Sequence, residues 1–302
     1  MHPLLLPIAL RLLTRRPVTR VLARVGTGVA AAAGVAMVAL TAEQVWRVWR
    51  AWQGVDSGPR AQPYQYRAAR PRRRVLVVGD STGVGIGAER RTESIGALVR
   101  AACQGAELVN LSVSGACLGD VPAQLERLGP LDRRFDIVLL HCGGNDVMRT
   151  PNLGSIEATA DALLPRLHAV GKRVVWLGPV DVGLAPLFRP PFSWWLSHRS
   201  RQAAALFQRA ARRHGVEYVG FHGSRHSHVL TRERAQFFSA DGIHPSGHGY
   251  RYAYGWLARS GALGHAMADV QAGPAHPPTL TPPLSPPLTA PVPAAAPLRH
   301  AA

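Results

Sequence analysis

Five apolar runs recur through the middle of the chain: RVLVVG (74–79), ELVNLSV (107–113), FDIVLLHC (135–142), RVVWLGP (173–179) and VEYVGF (216–221). Segments of helical length separate them, among them 91–104, 156–170 and 198–214. Strands this continuously apolar are buried on both faces, and alternation with helices covers each face of a parallel sheet. The pattern predicts an open, doubly wound α/β domain over residues 74–262.

The pattern changes on either side of that domain. Residues 1–24 are basic, with Arg11, Arg15, Arg16, Arg20 and Arg24. They lead into VGTGVAAAAGVAMVALTA, an uncharged run barely long enough to cross a bilayer, and a membrane anchor is expected over 25–45. A cleaved signal segment or an interfacial helix fits the same weakly hydrophobic composition. Leu40 stands where a cleavage site after Ala42 would prefer a small residue, which favours an uncleaved anchor. Trp46, Trp49 and Trp52 follow at every third position, as rings at headgroup level or as packing against the domain. Residues 46–73 then read as a linker, and 263–302, rich in Pro and Ala, as a disordered tail. More arginines precede the apolar run than closely follow it, where Arg47, Arg50 and Arg60 lie. A single-pass inner-membrane protein with a periplasmic catalytic domain is therefore expected.

Composition alters this picture little. The formal charge of +17 on 302 residues raises nucleic-acid binding. Lys172 is the single lysine, however, and the arginines are scattered without a basic-aromatic motif, so no nucleic-acid partner is expected. Cys103, Cys117 and Cys142 have neither zinc nor redox spacing, and one disulfide is permitted without being implied. The histidines of HGSRHSH (222–228) lack a regularly spaced carboxylate or thiol partner, so no metal is expected. Oligomeric state is not set by any pattern.

The candidate chemistry begins at GDSTG (79–83). A P-loop would need a Gly-Lys-Ser/Thr ending, and no lysine is near. A dinucleotide fingerprint would have to use Gly83, Gly85 and Gly87, beyond the strand and wrongly spaced. The stretch fits the G-x-S-x-G nucleophile elbow, but it follows the first strand, and the persuasive acid and base lie three residues apart in SADGIHPSGHGY.

Four blocks in order carry a resemblance: VVGDSTG (77–83), NLSVSGA (110–116), CGGNDV (142–147) and DGIHPS (241–246). The chain resembles the SGNH, or GDSL, hydrolase family, with Thr82 where that family has Leu. The resemblance implies a three-layer α/β/α, flavodoxin-like sheet of five parallel strands and a serine esterase needing no cofactor. A serine hydroxyl needs a base to accept its proton, a role for His244. The resemblance assigns Asp241 as its carboxylate partner and completes a catalytic set of Ser81, Asp241 and His244. It places the oxyanion hole at the N–H groups of Ser81 and Gly115 and the side-chain amide of Asn145. Asp80 and Asp146 read as capping or turn residues, and His248 as polar decoration.

Between strand and helix, residues 181–201 carry Phe188, Phe192, Trp194 and Trp195, with Trp194 and Trp195 as possible substrate-binding residues. Prolines and arginines interrupt this segment, so short acyl chains are expected. The substrate is a small-molecule, glycan or lipid ester. An acyltransferase acting on glycan hydroxyls, and a catalytically silent membrane-anchored binding protein of the same fold, remain alternatives.

Overall fold

The computed structural model describes residues 16–54 and 62–264. The segment before residue 16, part of the linker, and the tail beyond 264 lie outside the described residues. The chain begins with a long helix, α1 (Arg16–Gly54), continuous past the anchor boundary expected at 45. Alanine and straight-chain residues favour its continuation, and the first glycine that stops it is Gly54. Over Arg24–Arg50 this helix is long and apolar enough to cross a membrane, and its described side chains from 24 to 43 are exposed. The order of the hydrolase fold begins before its expected start, because Tyr66 pairs its backbone with Leu108 and stacks on Arg100 at 3.7 Å.

Five parallel strands form one sheet: β1 (Arg73–Gly79), β2 (Ala106–Asn110), β3 (Phe135–His141), β4 (Gly171–Leu177) and β5 (Glu217–Val219). Their order is β2-β1-β3-β4-β5, so the chain reverses its direction of winding after β2, and β3 lies on the other side of β1. Such a switch leaves a crevice beyond the carboxyl ends of β1 and β3, the usual ligand position in an open α/β sheet. Register places Gly79 beside His141, and His141 beside Leu177, along that edge.

One face of the sheet is covered by α4 (Val121–Glu126), α6 (Leu153–Val170) and α7 (Phe192–Arg213) around buried Trp176 and Phe207. The other is covered by α3 (Ile95–Ala102) and α10 (Gly247–Arg259) around buried Leu108, Leu139 and Tyr250. These are the three layers the apolar strands require, and the fold class is as the sequence predicts. The remaining short helices, α2 (Ser81–Val84), α5 (Gly144–Arg149), α8 (Ser224–Arg232) and α9 (Arg234–Phe237), lie in the connections at the carboxyl edge.

Candidate active site

The turn from β1 into α2 sets the position of Ser81. Gly79 leaves the sheet at φ +146, and a Cβ there would lie 2.0 Å from the His141 carbonyl oxygen, so only glycine fits. One buried side chain bonds both of its peptide groups: Gln124 Nε2 donates to Gly79 O at 2.8 Å, beside Val113 N at 3.0 Å, and Gln124 Oε1 accepts from Gly79 N at 2.9 Å. Asp80 caps α2 by accepting from Thr82 N at 2.8 Å and from Thr82 Oγ1 at 2.6 Å. Burial raises the Asp80 carboxyl above the usual carboxylate range, against the pull of Thr82. Ser81, as the first residue of α2, has an N–H that the helix itself leaves without an acceptor.

His244 reaches Ser81 across 163 residues, with Nε2 2.8 Å from Ser81 Oγ. Its Nδ1 lies 2.6 Å from Asp241 Oδ2. The other Asp241 oxygen accepts from Ser239 Oγ at 2.8 Å and from the N–H groups of Ile243 and His244, each at 2.9 Å. Burial works to raise the Asp241 carboxyl, but the His244 hydrogen bond and charge, with those N–H groups, outweigh it and hold the group well below the usual range. The loop is closed on itself by Ser239 N to His244 O at 2.8 Å, and it is tied to the neighbouring segment by Leu187 N to Gly242 O at 2.9 Å.

The residues expected to receive an oxyanion gather on the same cavity: Ser81, Gly115 and Asn145 all line it. Gly115 has φ +80 and nothing within 4 Å of a Cβ position, which leaves its backbone open to close approach. Asn145 is the second residue of α5, and Gly143, at φ +131, turns the chain into that helix after β3. Asp146 is buried behind it, and both its oxygens accept from Leu118 N, at 3.1 and 3.2 Å. It therefore ties the start of α5 to the loop after β2, a long-range contact in place of the local cap or turn that the sequence suggests. Burial, with the charges of Asp80 and Asp120, raises its pKa to about 6, while the Leu118 N–H opposes the shift.

The cavity above Ser81 has a volume of about 710 Å³ and is walled by Phe188, Phe192, Trp195, Leu196, Phe238 and Ile243. The two tryptophans part company. Both belong to α7, which starts at Phe192 and not near 198, and neighbours on a helix point in different directions. Trp195 borders the Ser81 cavity, whereas Trp194 borders a separate surface hollow shared with Arg47, Arg189 and Arg234. The cysteines are free: Cys103 and Cys142 are buried, and Cys142 also lines the cavity. His226 Nδ1 lies 2.9 Å from the Tyr252 hydroxyl, and His248 Nε2 lies 3.3 Å from Glu233, so both interact locally.

Sequence reasoning missed Gln124, Ser239, and two residues of α1, Gln44 and Val48, which also line the cavity. A single buried glutamine inside a six-residue helix, VPAQLE, gives no periodic signal. Ser239, two residues before Asp241 in the last block, could have been found from the lone pairs a part-buried carboxylate must fill.

Fold and site together define a hydrolase of ester bonds built on a three-layer α/β/α sheet. The GDSL-like lipase/acylhydrolase family matches residues 77–252, more than half of the chain, and the protein belongs to that family. Solved structures share the fold. A member of the lipolytic protein G-D-S-L family from Veillonella parvula is 15% identical with a TM-score of 0.51, over 62% of this chain and 96% of that one. LAE5, an alpha/beta hydrolase enzyme from the metagenome of Lake Arreo, Spain, is 24% identical with a TM-score of 0.50, over 66% and 98%. No curated protein matches the chain by sequence.

Proposed function

We propose that the protein is a serine esterase, tethered to a membrane by α1, that cleaves carboxylic esters through an acyl-enzyme. The observation that carries this reading is the hydrogen-bond relay from Asp241 through His244 to Ser81 at the edge of an apolar cavity. Ser81 Oγ attacks the ester carbonyl carbon while its proton passes to His244 Nε2. Asp241 holds the Nδ1–H tautomer and offsets the imidazolium charge that follows. The carbonyl oxygen, now negative, receives hydrogen bonds from the N–H groups of Ser81 and Gly115 and from the Asn145 amide. Collapse breaks the bond to the alcohol, which leaves with the proton from Nε2. Water then gives a proton to the same nitrogen and attacks the acyl carbon. The carboxylic acid departs and Ser81 recovers its proton.

The test is a fluorophosphonate reacted with the full-length protein, followed by peptide mapping and hydrolysis of p-nitrophenyl butyrate. Labelling falls on Ser81, and Ser81→Ala and His244→Ala each lower turnover by roughly a thousandfold or more with the melting transition retained. Labelling at another residue, with Ser81→Ala still active, overturns the assignment.

A further inference from the structure

The end of α1 does more than hold the domain near a bilayer. Gln44 is its first buried described residue: Nε2 donates to Leu187 O at 3.2 Å, and Oε1 accepts from Arg189 N at 3.2 Å. Arg47 donates to the same Leu187 oxygen at 3.1 Å and to Pro186 O at 3.0 Å. Glu43 pairs with Arg189 at 3.5 Å. One turn beyond Gln44, Val48 packs on the hydrolase core, and both residues line the cavity above Ser81. The segment they clamp is bonded in turn to the loop that carries Asp241 and His244, through Leu187 N and Gly242 O.

Length fixes where this contact lies. From Arg24, the last charge before the apolar run, to Gln44 is 20 residues, about 30 Å of helix, which is the thickness of a bilayer's hydrocarbon core. The domain therefore first touches α1 where a span would emerge. Trp46 and Trp49 on α1, and Trp194 and Trp195 on α7, remain more than half exposed around this junction. Aromatic rings so placed sit well at headgroup level.

Resting on the esterase reading, we infer that Gln44 and Val48 form the membrane-side wall of the acyl cavity, and that the substrate is a long-chain acyl ester resident in the bilayer. The chain rises beside α1 and lies between Val48 and the apolar start of α7, with its carbonyl at Ser81. This revises the short-chain expectation: the missing wall comes from the anchor helix, far upstream of the first motif block. Each buried methylene then contributes roughly fourfold to the rate at low concentration.

The test uses the full chain in phosphatidylethanolamine/phosphatidylglycerol vesicles and two p-nitrophenyl alkylphosphonates, ethyl and decyl. Ser81 Oγ bonds to phosphorus, p-nitrophenolate leaves, and its release gives the rate. The decyl probe reacts at least about tenfold faster than the ethyl probe, and Val48→Trp, which fills the cavity, lowers that ratio about tenfold or more. A decyl probe with a terminal diazirine provides a second measurement on the unaltered protein, with cross-links falling within residues 43–50. An ethyl probe that reacts faster, a ratio indifferent to Val48→Trp, or cross-links confined to the hydrolase domain would each overturn the inference while leaving Ser81 as nucleophile. Failure of both probes to modify Ser81 would instead remove the esterase reading on which it rests.

Discussion

The Asn145 side-chain amide donates to the backbone oxygen of Ala116 at 3.0 Å, joining the loop after β3 to the loop after β2. An amide nitrogen carries two hydrogens, so this bond aims the group and leaves the second hydrogen for an oxyanion. Asn145→Ala is expected to lower kcat by about a hundredfold or more with little change in KM, as for a donor engaged mainly in the transition state. Steady-state kinetics on p-nitrophenyl butyrate decide it. A loss confined to KM would make Asn145 a ground-state binding residue.

Thr82 stands where the resembled family has Leu, and its hydroxyl is bonded to the buried Asp80 carboxylate. The structure gives this side chain the task of satisfying a carboxylate that water cannot reach. Thr82→Val keeps the shape and removes the donor, so a loss of roughly 1–3 kcal/mol in stability is expected, with kcat changed less than about threefold. Urea unfolding beside initial rates separates the two effects. An unaltered midpoint would show that Asp80 is held by backbone N–H groups alone.

What could be read from the chain follows from how each contact is written in it. The central strands are legible because burial on both faces demands unbroken apolar runs, and VLVVG and IVLLH admit no other use. The second strand is shorter than its apolar run: the Asn110 side chain donates to Gly83 O at 2.9 Å and accepts from Ser112 N at 3.1 Å, and past it Leu111 N and Val113 N still bond to Val77 O and Gly79 O of β1. Ser81, Asp241 and His244 are legible because their spacing and neighbours are local motifs. The α1 contact is not: Gln44 and Arg47 bind backbone oxygens about 140 residues away, and a carbonyl has no sequence signature. The same limit hid Gln124, whose partner is also a backbone.

Topology is open to a direct test. Arg11, Arg15, Arg16, Arg20 and Arg24 precede the apolar run, while Arg47 is partly drawn onto carbonyl oxygens of the hydrolase domain. The imbalance leads us to expect the N-terminus inside and the hydrolase domain outside the inner membrane. Alkaline phosphatase fused after Ala272 should be active, since it matures only outside. An inactive phosphatase together with an active cytoplasmic reporter at that point would reverse the orientation.

Two buried groups at the carboxyl edge of the sheet should tilt stability against pH in opposite directions. His141 is buried at the end of β3, its Nδ1 lacks a hydrogen-bond partner among the described residues, and burial lowers its pKa to about 3. The unfolded chain binds that proton near 6.5, so the folded state loses stability as pH falls from there toward about 3, by roughly 2 kcal/mol at pH 5. Asp146 acts in the other sense. Its pKa, raised chiefly by burial to about 6, makes the protonated form the favoured one in the fold, so its contribution is present in acid and is lost as pH rises through about 6. At pH 5 it offsets about 1 kcal/mol of the His141 effect. His141→Gln should therefore flatten the fall in stability between pH 7 and pH 5, and Asp146→Asn should steepen it. Urea midpoints measured across that interval check both. Parallel profiles for the parent and His141→Gln would mean that His141 takes up its proton in the folded state as readily as in the unfolded one, and that the pocket behind Gly79 admits water.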